Sequence, residues 1–106
     1  AKAKAADIKV VAVTITPWKN SRTWTSEAQD ETEQINSWIL NKPENVDVVV
    51  DAYSILNDGT GALKPEYDLR DHLHPNGAGQ NAIGEAIFAT AYNLELCQQL
   101  VCQDVV

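Results

Sequence analysis

The sequence predicts an α/β fold with parallel strands, and three observations carry that reading. A β-branched run, Ile8–Ile15 (IKVVAVTI), precedes an amphipathic stretch, and a second apolar run, Val46–Tyr53 (VDVVVDAY), follows it. Strand, helix, strand is the order of a right-handed crossover unit. The consecutive valines Val48, Val49 and Val50 suit a strand buried on both faces, as parallel strands are.

The elements follow in order. The first strand ends at Thr16 and Pro17, because proline has no N–H to give to a ladder. Ahead of it, AKAKAA is made of strong helix formers whose lysines suit the last turn of a helix; an unordered terminus is the bland alternative. The stretch from Thr25 to Lys42 opens with Ser26 and Gln29 at capping-box spacing, and Glu27, Asp30 and Glu31 lie at the positive end of the helix dipole. Ala28, Ile35, Trp38 and Ile39 form the apolar stripe expected to cover the core, and Pro43 stops the helix. After the second strand comes a loop punctuated by NDGTG and Pro65. A final helix is capped by Asn76, with Ala82, Ile83, Ala86, Ile87, Ala91 and Leu94 on one stripe. The order is β-α-β-loop-α. A sheet normally needs at least three strands, so this one is expected to be completed from outside residues 1–106, which read as a single partial domain.

Composition excludes several classes of function. The net charge is −7 and the lysines at positions 2, 4 and 9 form no stripe, so nucleic-acid binding is not expected. No apolar run approaches the ~20 residues of a membrane span, and AKAKAAD lacks the apolar segment of a secretory signal. Composition leaves the compartment open. Cys97 and Cys102 fall on different faces of a helix and read as idle thiols, although an unwound last turn would let them bridge.

The chemistry concentrates in Asp68–Gly79, DLRDHLHPNGAG. Asp71 lies three residues before His74, an offset that in a turn brings a carboxylate to Nδ1 of an imidazole. Such a contact leaves Nε2 free to accept a proton and stabilises the imidazolium that results. Pro75 keeps the final helix from starting earlier.

This block, preceded by Tyr67 and Asp68 and by VDVVVDAYSIL, resembles the last conserved block of the SGNH or GDSL esterase and lipase family, D-x-x-H-P before the final helix. With TITPW after the first strand and INSWI in the helix, the resemblance covers nearly the whole chain. It implies a partial doubly wound, flavodoxin-like α/β/α domain of three layers, its C-terminal half. It also implies hydrolysis of small esters or acetylated sugars by a Ser-His-Asp triad, with Asp71 as acid, His74 as base and no cofactor. The family's G-D-S nucleophile block and its oxyanion glycine and asparagine are not among these residues. Every glycine lies at or after Gly59, and Ser21, Ser26, Ser37 and Ser54 have helix, cap or loop explanations. The partner implied is the first half of the domain.

Other readings compete. His72 and His74 on one side of an extended segment, with Asp68 and Asp71 nearby, would make a metal site, though nothing completes its shell. The resemblance assigns His72 to a variable position, and Asp68 and His72 read as bystanders to the Asp71–His74 pair. In a purely structural reading, Asp71 caps a turn and His74 bonds the backbone. A noncatalytic fragment would associate with itself through the edge of the first strand, Val10–Ile15. The glycines Gly77, Gly79 and Gly84 do not match a dinucleotide-binding loop and read as a helix start. Trp18 and Trp24, after the first strand, are candidates for an acyl or sugar pocket or for covering the core, whereas Trp38 reads as core and Asp51 as a turn or cap residue.

Overall fold

The computed structural model describes residues 1–99, with α1 (Lys2–Ala5), β1 (Val11–Val13), α2 (Ser26–Leu40), β2 (Val48–Val50), α3 (Ala52–Leu56), a 3-10 turn (Pro65–Tyr67) and α4 (Gly77–Gln99) in order. The fold is mixed α/β. The two strands pair in parallel, Val11 opposite Val48 and Val13 opposite Val50. β1 is shorter than its apolar run because side chains bond the backbone at its ends, and β2 stops at Val50, short of the expected Tyr53, because Asp51 caps a helix that begins at Ala52. Asp47 accepts from the Val10 N–H at 2.8 Å. At the far end, Asn36 of α2 accepts from the Ile15 N–H at 2.8 Å and donates to its carbonyl at 3.0 Å.

The start of α2 corrects the expected cap. Thr25 is the N-cap, its hydroxyl accepting from the Ala28 N–H at 3.0 Å, and Ser26 is the first helical residue. Gln29 instead accepts from Trp24 Nε1 and donates to the Tyr53 hydroxyl, both at 3.0 Å. The buried face is also corrected. Thr32 and Asn36 are the buried residues of α2, while Trp38 is 64% exposed and Ile35 is exposed as well. Polar residues turn inward because each has a partner there: Asn36 clamps Ile15, and the Thr32 hydroxyl accepts from Trp18 Nε1 at 3.0 Å. Burial of a polar group is tolerated when its bonds are made.

At the end of β2, Asp51 caps α3 by accepting from the Ser54 N–H, the cap role expected of it. Its carboxylate also accepts from the buried Thr14 hydroxyl at 3.0 Å, which in turn accepts from the Tyr53 N–H, so the carboxyl ends of β1 and β2 are tied together. Residues Asn57–Lys64 fold back on themselves. Asn57 accepts from the N–H groups of Gly59 and Gly61, and both glycines take φ near +100°, a region open to glycine. The fold-back buries Ala62 and Leu63 beside Val50, Ala52, Leu56 and Pro17, and these form the core.

The last helix packs on β2, α3 and the 3-10 turn. Asn76 is its cap, accepting from the Gly79 N–H at 2.9 Å, and Ala82, Ile83, Ala86, Ile87 and Ala91 are half-buried as the stripe predicts. The side chains of Leu94 and Cys97, and all of Cys102, lie outside the described residues. None of the described helices is long and apolar enough to cross a membrane.

The molecule measures 46 × 26 × 24 Å, with a radius of gyration of 15.4 Å against about 13 Å for a compact domain of this length.

Candidate functional site

The loop from Asp68 to Pro75 leaves the 3-10 turn and returns to the start of α4. An antiparallel bridge between Asp68 and Pro75 closes its neck, reinforced by the Leu69 N–H donating to the His74 carbonyl at 3.0 Å. Asn76 anchors the neck by donating its backbone N–H to the Tyr67 carbonyl at 2.8 Å and its side-chain amide to the Glu66 carbonyl at 3.0 Å. The cap of the last helix and the base of the loop are therefore one residue.

Within the loop, Asp71 meets His74 as the three-residue offset predicts. Asp71 Oδ1 accepts from the N–H groups of Leu73 at 3.0 Å and His74 at 2.9 Å, and Oδ2 lies 2.5 Å from His74 Nδ1. An ionised carboxylate only accepts, so the proton of this bond belongs to Nδ1 and Nε2 is the basic nitrogen. The bond from the His74 ring, with those from the His74 and Leu73 N–H groups, holds the Asp71 carboxyl well below the usual carboxylate range. Both side chains are exposed to solvent.

Asp68 and His72 are not bystanders in this geometry. Asp68 Oδ1 accepts from the N–H groups of Arg70 at 2.8 Å and His72 at 3.0 Å, and Oδ2 lies 2.6 Å from His72 Nδ1. The loop thus holds two carboxylate–imidazole pairs of the same design. The sequence hid this second pair because a four-residue offset brings side chains together in a helix, whereas here it depends on Arg70 and His72 adopting φ of +80° and +62°. The signal available was an aspartate ahead of each histidine. Each imidazole is committed to its own carboxylate, and among the described residues no group of three or more histidine, cysteine or acidic side chains is placed to hold a metal ion.

A cleft of about 260 Å³ opens beside this loop, lined by Ile15, Thr16, Trp18 and Leu73. Leu73 is the residue between the two histidines, so the apolar cleft and the Asp71–His74 pair share a backbone. Trp18 lines the cleft, and its ring is fixed by the bond to Thr32. Trp24 is not brought to it: its Nε1 donates to Gln29, and the Lys19 ammonium stands 5.7 Å from its ring centre.

The serines lie elsewhere. Ser26 and Ser37 belong to α2, the Ser54 hydroxyl donates to Asp51 at 2.7 Å, and Ser21 is buried. Among the described residues, the His74 ring has a hydrogen bond to Asp71 and none to a serine. No protein-family model matches the chain, and no curated protein matches it.

Proposed function

We propose that this chain supplies the acid and base of an SGNH or GDSL-type serine hydrolase, acting on a small ester or an acetylated sugar. The observation that carries the reading is the Asp71–His74 contact at 2.5 Å, made in a loop whose intervening residue, Leu73, lines an apolar cleft. In this reading β1 and β2 are strands of a doubly wound, flavodoxin-like sheet of three layers. The nucleophilic serine and the oxyanion donors come from a segment outside residues 1–106.

The chemistry then follows from the geometry. Nε2 of His74 takes the proton of the serine hydroxyl as the oxygen adds to the ester carbonyl, and Asp71 stabilises the imidazolium through Nδ1. His74 returns that proton to the leaving alcohol as the acyl-enzyme forms. A water molecule, deprotonated by the same nitrogen, adds to the acyl carbon, and His74 then gives that proton to the departing serine oxygen, releasing the acid and restoring the serine and the neutral imidazole. The acyl group lies in the cleft against Trp18 and Leu73.

Combining the chain with a polypeptide that carries a G-D-S block and the first half of such a domain is the test. Hydrolysis of p-nitrophenyl acetate is expected to appear on assembly, and His74→Ala to reduce kcat by about 10⁶-fold. No gain in a confirmed assembly, or full activity in His74→Ala, overturns the reading.

A second reading is favoured by a different observation. Among the described residues β1 pairs with no strand besides β2, and that unpaired edge suits a noncatalytic fragment that completes its sheet with another copy of itself.

A further inference from the structure

We propose that Asp68 is a positioning residue for His74, acting through the backbone of the loop it braces. Its role in catalysis rests on the hydrolase reading, while its role in the loop stands independently. The Asp68 side chain is only 9% exposed although its loop is at the surface, and its carboxylate receives three bonds, from the Arg70 N–H, the His72 N–H and His72 Nδ1. Arg70 and His72 both adopt left-handed backbone, at φ of +80° and +62°. Side-chain-bearing residues disfavour that region, and such a conformation persists where surrounding bonds over-determine it. The bonds that do so here converge on one carboxylate.

The consequence falls on Asp71. It lies between the two left-handed residues, and their reversal of the chain brings its Oδ2 to His74 Nδ1 and its Oδ1 to the Leu73 and His74 N–H groups. Without Asp68, Arg70 and His72 relax toward ordinary backbone angles and the Asp71–His74 contact opens. The His72 ring serves the same end by clamping the free oxygen of the brace. One carboxylate therefore shapes the loop and the other orients the base.

The test needs no substrate. Short bonds from imidazole Nδ1–H to carboxylate give strongly downfield proton resonances, and the 106-residue chain is expected to show one from His74 and one from His72, each removed by the matching alanine variant. Asp68→Ala is expected to remove both while the far-ultraviolet circular dichroism of α4 is unchanged. Adding Arg70→Gly and His72→Gly, which make left-handed backbone accessible without the brace, is expected to restore the His74 resonance. If Asp68→Ala alone does not fold, the glycine variant is expected to recover both helicity and that resonance. A His74 resonance that persists unshifted in Asp68→Ala, or glycines that restore nothing, overturns the proposal. In the assembled hydrolase, Asp68→Ala is expected to lower kcat by about 100-fold with KM little changed. Absence of hydrolysis in every variant while the resonances behave as stated overturns the hydrolase reading and leaves the brace standing.

Discussion

Asp71 is exposed, and the bonds its carboxylate accepts set how it responds to pH. Its carboxyl is held well below the usual range first by the His74 side chain, then by the N–H groups of His74 and Leu73. A carboxyl whose folded pKa lies below its unfolded one contributes stability in full above the unfolded value, about pH 4, and loses it as pH falls through the folded one. The loop is therefore expected to hold its shape from neutrality down to about pH 4 and to loosen in stronger acid. Carboxyl carbon NMR checks this. The Asp71 midpoint should lie below about 3.9 and rise in His74→Ala; a wild-type midpoint at or above that value contradicts the geometry. Leu73 carries a second prediction at this scale. Because it lines the cleft that the hydrolase reading gives to the acyl group, Leu73→Ala should enlarge the cleft and shift the assembled hydrolase toward longer p-nitrophenyl esters, with acetate hydrolysis changed less. An unchanged chain-length profile would place the acyl group elsewhere.

At the scale of elements, the seat of α4 rests on one glycine. A Cβ at Gly79 would meet the Pro75 Cβ at 2.9 Å and the Tyr67 carbonyl at 3.0 Å, so the helix approaches the 3-10 turn only because that atom is absent. Gly79→Ala is expected to destabilise by about 1–3 kcal/mol, as overpacking does, and to disturb Asn76 and the neck of the loop. Gly84 has nothing within 4 Å of the same atom. There the change to alanine removes only the cost of glycine inside a helix, so Gly84→Ala should stabilise by about 0.5–1 kcal/mol. Urea unfolding of the two variants decides, and equal effects at both glycines would remove the packing argument. The helices and strands were legible in outline because apolar runs and caps are local signals. The face of α2 was not, since Thr32 and Asn36 turn inward for bonds to Trp18 and Ile15 that sequence periodicity does not register. The five-residue α3 is too short to show a period, although its cap Asp51 was readable. The same contrast holds within the site: Asp71 and His74 stood out at a familiar offset, whereas Asp68 and His72 meet through left-handed residues that composition does not announce.

For the whole molecule, the sheet is the element that asks for completion. The Thr14 N–H donates to the Val50 carbonyl and the Val48 N–H to the Val10 carbonyl, so Val10, Ala12 and Thr14 bond to β2. In a parallel ladder the alternate residues, Val11 and Val13, then direct their backbone groups away from β2. Asn36 occupies the same edge at Ile15, which leaves Val11–Val13 as the stretch where another strand can add. Both readings of function, the assembled hydrolase and the self-associating fragment, use this edge. Val13→Pro separates the edge from the fold, because the N–H it removes is not bonded to β2, whereas Ala12→Pro removes one that is. Light scattering is expected to show association of the wild-type chain and its loss in Val13→Pro with the melt preserved, while Ala12→Pro loses the fold itself. A wild-type chain that is monodisperse, monomeric and melts cooperatively would show that two parallel strands clasped by Asn36 and Asp51 suffice.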